Sequence, residues 1–487
     1  MFRKKMVWFF VLSVLIIVLV PVFHIVKTKL SEENITVETP KGYINDASEL
    51  NQTAIDTVFN APSTKKELEA ALRKILLYAK AKRLKIALGG AKHSMGGHTI
   101  APKGISINML PYKEMYFDKT TNCLTIGSGA LWEEAIHYLE QYGKSIAIMQ
   151  AFSSFSIGGS ISVNGHGWQK DLPPLAASVQ SFTIMLEDGT IKKCSRTENI
   201  ELFRLVLGGY GLFGIILDVN LKVVDNKALQ FKHLQLKPED YLAYYKKHIA
   251  SNPKVDLVFG RLRISNKNFL EEATLNYFEE IEAVIPPLKK GKSTEAERLV
   301  FRGSTNNEYG KRLRWDLETS SNKLSQNTIY SRNELINDPV SLIENKDKKS
   351  TDLLHEYFIP ERNFMEYINA IKPILKNSEI DLLNITIRGV QQDNDSFLAY
   401  ANEPVFGFVL LFNQKKTEAQ EKAMQVLTKK LVGVALEQEG TYYLPYRLHI
   451  NREMMRKSYP KAAEFFKLKL KYDPNEVFSN KFYEHYK

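Results

Sequence analysis

The stretch GGAKHSMGGH, Gly89 to His98, sets four glycines around His93. A neutral imidazole is a nucleophile and a hydrogen-bonding group near pH 7. Glycine removes the side chain, permits positive φ and lets a ligand approach the main chain. Successive main-chain N–H groups in such a turn form a concavity for an anion. Two more glycine-rich stretches follow, SFSIGGSISVNGHGWQ (Ser154 to Gln169) and LGGYGLFG (Leu207 to Gly214). Three clusters, at 89–97, 157–167 and 208–214, each at a strand end, predict one large ligand whose phosphates are held by main chain. The spacing is not the dinucleotide fingerprint G-x-G-x-x-G, and the lysine-bearing phosphate loop G-x-x-x-x-G-K-[ST] is absent. The ligand reads as a bulky phosphorylated cofactor held outside a Rossmann fold.

The elements that must position these loops follow from hydrophobic periodicity. TKKELEAALRKILLYAKAKRL, from Thr64, predicts a helix with Leu68, Leu72, Ile75 and Leu76 on one face. KIALGG predicts a short strand running into the first glycine turn, and GISINML and NCLTIGSGA predict strands. LWEEAIHYLEQYG predicts an amphipathic helix ended by Gly143. VQSFTIMLEDGTIKKCS predicts a hairpin turning at Asp188-Gly189. NIELFRLVLGGYGLFGIILDVNLKVV ends as a strand. The order predicts α+β, not a doubly wound parallel sheet. Residues 31–60 are polar and read as a linker. From residue 227 to about 435, LVFGRLRIS, LHEYFIP, LLNITIRGV and FGFVLLFN alternate with helical runs, as in an α+β substrate domain. The polar stretch from Pro286 to Asp338 reads as a long connection.

The chain has 487 residues, 44% of them apolar, enough for two or more cores. Its net charge of +11 is read as a basic solvated surface, with no nucleic-acid motif and no nucleic-acid partner. Residues 6–26, MVWFFVLSVLIIVLVPVFHIV, follow Arg3, Lys4 and Lys5 and are long enough to span a bilayer. The expectation is a single-pass membrane anchor over residues 1–30, with the body on the non-cytoplasmic side. A cleaved signal peptide is the alternative, although no small-x-small site follows the apolar run. Cys123 and Cys194 both fall in strand-like runs; two unpaired thiols is the reading, a single bridge the alternative. No metal site is read from the sequence.

With these residues in place, the chain resembles the FAD-binding PCMH-type flavoproteins, which include vanillyl-alcohol oxidase, the sugar-lactone and alditol oxidases, cytokinin dehydrogenase and decaprenylphosphoryl-ribose oxidase. GAKHS is similar to the family's G-x-G-H-S pyrophosphate loop. SIGGSISVNGHG is similar to S/T-x-x-G-x-x-x-x-x-x-H-G of lactone and alditol oxidases. LEDGTI followed by LFRLVLGGYGLFGII resembles ADG-x-I followed by LF-x-x-x-GG-x-G-x-x-GII. The likeness covers most of residues 60–225 and the C-terminal fifty. It implies a two-subdomain FAD-binding domain (61–226), an inserted substrate or cap domain (227–435) and a segment (436–487, with KYDPNEVFSNKF) that returns to the FAD domain. It implies that FAD is held by Gly89, Gly90, Ala91, Lys92, His93, Ser94 and Gly97. From the second loop it implies Ile157, Gly158, Gly159, Ser160, Asn164, His166 and Gly167, and from the third Gly211, Gly214 and Ile215. In many members the histidine at the position of His93 is bonded covalently to the flavin 8α-methyl carbon; His98 is the alternative attachment site. Lys92 departs from the family, which usually has glycine there.

Catalytic candidates come from three stretches. LHEYFIPERNF is similar to the E-Y-x-x-P strand of lactone oxidases, and its Glu356 would bond a substrate hydroxyl. Arg388 in ITIRGVQQD resembles an arginine of polyol oxidases and would polarise an oxygen. GTYYLPYRLHI aligns with G-x-R-P-H-W-G-K-L-H, which puts Arg447 on the family's lysine and brings in Tyr446 beside it. An arginine stays charged and would stabilise an oxyanion without acting as base. The expected activity is FAD-dependent oxidation of a CH–OH group by hydride transfer to flavin N5. The expected substrate is a small or lipid-linked sugar, polyol or lactone, and the acceptor is oxygen or a quinone-type compound. The alternative is a degenerate flavin fold serving as a membrane-tethered binding or scaffold protein.

Overall fold

The computed structural model describes residues 19–32, 39–289 and 294–487. The helix Lys65–Lys82 buries Leu68, Leu72, Leu76 and Ala79. It packs on a three-stranded parallel sheet whose order is Thr57–Asn60, Ile105–Asn108, Ile86–Gly89. The chain's far end completes this sheet. Ile86 bridges Phe478 in parallel, and its N–H donates to the Val477 carbonyl at 2.7 Å. The buried Asp473 carboxylate, paired with Lys469, fixes that return by accepting from the N–H groups of Val477 and Phe478. The strand Thr57–Asn60 corrects the reading of 31–60 as linker. Its residues alternate between half-buried and exposed, as an edge strand requires, so it carries no apolar run to betray it.

A second sheet is antiparallel, in the order Ile191–Ser195, Val179–Met185, Ile215–Asp225, Cys123–Gly127, Met115–Asp118. The predicted hairpin forms with Ile191 opposite Met185. Cys123 and Cys194 are free thiols on two of these strands.

The cap is an eight-stranded antiparallel sheet. Its order is Ile329–Ser331, Ala228–Leu236, Ala273–Glu280, Val255–Leu262, Asp381–Val390, Val405–Lys415, Ser350–Pro360, Thr441–Tyr442. All four predicted strand runs are present. The short strand Thr441–Tyr442 belongs to this sheet, which carries the cap past the predicted boundary at 435.

The stretch from Pro286 to Asp338 is corrected too. Beyond residues 290–293, which lie outside the described ones, it folds into helices Glu295–Arg302 and Glu308–Leu324. Arginines form much of their buried side, so hydrophobic periodicity misses them. Arg298 pairs with Glu32 and Glu295, Arg302 with Asp352, and Arg314 donates to Ser304 Oγ and the Leu383 carbonyl.

Of the predicted anchor, residues 1–18 lie outside the described ones. Residues 19–30 are helical. His24 Nε2 meets the Gly303 carbonyl oxygen at 2.8 Å. Glu32 forms a two-pronged pair with buried Arg298 at 2.6 and 2.7 Å. Among the described residues no helix is long and apolar enough to cross a membrane.

Candidate cofactor and active site

The three glycine stretches converge on one cleft of about 1370 Å³, open mouth included. Gly89, Gly90, Ala91, Lys92, His93 and Ser94 line it from the end of the strand Ile86–Gly89. Gly158, Gly159 and Ser160, on the short helix Ile157–Ser162, line it with His166, and Gly211 and Ile215 complete the third side. The first two loops are stitched together by the Ala91 N–H, which donates to Ser156 Oγ at 3.3 Å. Their approach requires bare backbone: a Cβ on Gly90 would collide with Ser156 Oγ.

Buried polar atoms normally have hydrogen-bond partners. In this cleft several have none among the described residues, including Ser94 Oγ, Thr99 Oγ1, Ser128 Oγ, Gln150 Oε1, His166 Nδ1 and Arg388 Nε. They come from the glycine loops and from the cap strands alike. A long ligand with polar groups at both ends satisfies them, whereas an apolar one leaves each desolvated and uncompensated. FAD has that form. Hydroxyls and main-chain N–H groups suit its phosphate and sugar oxygens, and its ring edge offers further polar atoms.

The His93 ring stacks on Phe155, centroids 4.0 Å apart and planes 18° apart. Burial pushes its pKa down to about 4, against a bond to the Ser154 main chain that works the other way. The imidazole is therefore neutral near pH 7. His98, the alternative attachment site, also lines the cleft, beside the rings of Tyr210 and Phe482.

The cap supplies the opposing wall. Strands Ser350–Pro360 and Asp381–Val390 flank Val405–Lys415, with Glu356 opposite Val409 and Arg388 opposite Gly407. Gly407 lies beside the His166 ring; a Cβ there would be in ordinary contact with His166 Cε1, at 3.5 Å. Glu356 Oε2 meets His166 Nε2 at 2.6 Å, and Glu356 Oε1 accepts from the Tyr446 hydroxyl. Burial alone would raise the Glu356 pKa; His166, Arg388 and Tyr446 outweigh it and hold the carboxyl below its usual range. Burial, reinforced by that carboxylate, raises the Tyr446 phenol well above its ordinary value. Burial lowers the Arg388 pKa, and the Glu356 charge opposes the shift. The arrangement is an ionised carboxylate held between two ring groups beside a guanidinium whose Nε is free.

Several predicted residues stand elsewhere. Arg447 does not line the cleft. It pairs with Glu421, its Nε 3.0 Å from Oε1, and His449 Nε2 reaches the same oxygen at 2.9 Å. Burial works to raise the Glu421 pKa, but His449 and Arg447 bring it to about 2. Arg447 thus fastens its segment to the helix Glu418–Glu437 while neighbouring Tyr446 faces the site. Gly97 donates its N–H to Asp46 at 2.7 Å, and Ile157 is fully buried in the core. Asn164 bonds Asp393 and the Ala176 N–H. Gly167 abuts the Met149 carbonyl, and Gly214, at φ 148°, abuts Ile184. These five build the wall from behind. Conversely, Ser128, Gln150, Phe155 and Tyr210 line the cleft without having been singled out. Ser128, between Gly127 and Gly129, and Tyr210, between Gly209 and Gly211, carry the same signal of a bare turn; Gln150 and Phe155 carry none of their own.

Residues 62–195 match the family model described as FAD binding domain. The chain thus contains an FAD-binding domain of the PCMH type, and its cofactor is FAD. Its relatives include cytokinin dehydrogenase 2 of Arabidopsis thaliana, 27% identical over 48% of this chain and 48% of that protein. L-galactono-1,4-lactone dehydrogenase of the same plant is 26% identical over 41% of this chain and 32% of its own length. An uncharacterized oxidoreductase, ORF5 of the fasciation locus of Rhodococcoides fascians, is 27% identical over 42% of this chain and 46% of its own length. The matched stretches thus span less than half of each of these relatives.

Proposed function

We propose that this chain is an FAD-dependent oxidoreductase acting on a CH–OH group of a sugar, polyol, lactone or lipid-linked sugar. The observation that carries this reading is that one cleft holds both the glycine cradle and the cluster of Glu356, His166, Tyr446 and Arg388. Converting CH–OH to a carbonyl removes a hydride and a proton. FAD, when bound, supplies the hydride acceptor. Glu356, kept ionised, takes the hydroxyl proton. Arg388 donates from its free Nε to the substrate oxygen and steadies the charge that develops there. Tyr446 and His166 hold the carboxylate from both sides and fix its aim. Lactone and cytokinin dehydrogenases are both among the relatives; a buried carboxylate beside a guanidinium favours the hydroxylated substrate. The electron acceptor in this reading is oxygen or a quinone-type compound. Anaerobic addition of polyols, aldonolactones and lipid-linked sugars tests it: one of them should bleach the yellow protein. A chain that binds FAD and bleaches with none is a binding or scaffold protein.

Covalent attachment of FAD through His93 belongs to the same reading, supported by its neutral, partly enclosed ring. So does tethering to a membrane through residues 6–26, with the body on the non-cytoplasmic side. The helix at 19–30 exposes Leu19, Val20, Val22, Phe23 and Val26 while His24 and Glu32 grip the cap. Carbonate washing of membranes should leave the full chain in the pellet and release one lacking residues 1–32; release of both overturns the tether.

A further inference from the structure

Lys92 stands inside the first glycine loop and adopts φ 58°. That left-handed region strains any residue with a Cβ and costs glycine nothing. Its side chain folds back over Gly89, where a Cβ would lie 3.3 Å from Lys92 Cε. There it is half-buried and lines the cleft. Burial lowers its pKa, and no carboxylate among the described residues offsets that cost. Two more deeply shielded lysines are compensated. Lys469 pairs with Asp473, and Lys311 pairs with Asp381 at 2.6 Å. A half-buried cation that lines the cleft with no carboxylate partner calls for an anion supplied from outside the chain.

We propose that Lys92 is an ion-pair partner of the FAD diphosphate. The inference rests on the cofactor assignment and adds a charge to a cradle otherwise built from main chain and hydroxyls. The lysine stands in the loop, between Gly90 and Ser94, and not on the cap strands that carry Glu356 and Arg388. Its charge therefore serves the cofactor's anionic centre. The orphaned hydroxyls of Ser94 and Ser128 line the same cleft and suit further phosphate oxygens. An ion pair here would seat FAD before any bond to His93 forms, which makes the docking step sensitive to ionic strength.

The test uses the full chain carrying His93→Ala, so that flavin exchanges freely, stripped of flavin and titrated with FAD or with riboflavin, which has no phosphate. Adding Lys92→Met or Lys92→Gly should weaken FAD binding by about tenfold or more at low salt and flatten its salt dependence. Riboflavin affinity should stay unchanged. Lys92→Gly should also raise the thermal midpoint of the flavin-free protein or leave it unchanged, because glycine relieves the φ strain, and this separates lost binding from lost folding. FAD affinity and salt dependence equal to the parent's overturn the role of Lys92 alone, as does an equal loss of FAD and riboflavin. A parent chain that binds no flavin overturns the cofactor assignment, and this inference with it.

Discussion

Glu356 of the cap and His166 of the second glycine loop meet at 2.6 Å in a buried contact that ties the two domains together at the site. Around it, the Tyr400 hydroxyl donates to the Asn164 carbonyl and the Tyr443 hydroxyl to the Val163 carbonyl, both at 2.8 Å. The second glycine loop is thus gripped by side chains of the cap and of the segment that follows it. Glu356→Gln keeps the shape and removes the charge. Flavin reduction by the alcohol that bleaches the parent should slow by about 10²-fold or more, with FAD content unchanged. Stopped-flow absorbance checks this; an unaltered rate removes Glu356 from the reaction.

Arg388→Met should leave the Glu356 carboxyl without a cation that lowers its pKa and the substrate oxygen without a donor. The reduction rate should fall by about 10²–10³-fold. Comparing the variant's pH–rate profile with the parent's reads the first effect: the acidic limb should move to higher pH, because the arginine holds the carboxyl pKa down.

Acid precipitation of the parent should carry yellow fluorescence into the pellet, and precipitation of His93→Ala should leave it in the supernatant. Because the His93 pKa is depressed to about 4, the yield of attached flavin should be flat from pH 8 down to about 5. A yield that halves near pH 6.5 would indicate an imidazole with an ordinary pKa.

Stability should depend on pH in a defined window. His93 titrates at about 4, and His98 and His355 at about 3, all depressed by burial from 6.5. A depressed histidine pKa means that the unfolded chain takes up protons first as pH falls. The stabilisation is whole above 6.5 and is lost as pH drops towards 4, by a few kcal/mol in sum. Glu421, at about 2, extends the loss below 4.5. Urea midpoints measured from pH 8 to 4 should decline throughout the lower part of that range; a flat profile would contradict neutral burial of these rings.

Gly90→Ala places a methyl group against Ser156 Oγ, where the first and second loops are joined. A loss of about 1–3 kcal/mol of stability is expected, with weaker FAD binding. Calorimetry and flavin titration read the two effects separately.

Much of this architecture is legible before any coordinates. The glycine clusters mark where backbone must be bare, and the alternating runs of the cap give its strands. What the sequence hides follows from physical causes. Arginine-lined helices between Pro286 and Asp338 bury charge in place of aliphatic carbon, so periodicity is silent there. The edge strand Thr57–Asn60 is half-buried on one face and carries little apolar signal. In Pro445–His449, alignment favours Arg447, but the segment has no strand alternation to decide which side chain faces the cleft; Tyr446 does, and Arg447 turns to Glu421. Glycines needed by the fold, such as Gly97 and Gly214, look the same in sequence as glycines needed by the ligand.

The strand that launches the first loop, Ile86–Gly89, acquires its outer neighbour only from residues 477–479. A ribosome must therefore translate past residue 479 before that strand is fully supported, about 390 residues after the strand itself has emerged. A nonsense codon just before residue 477, far from any glycine loop in the linear map, would act as a lesion of the prosthetic-group site.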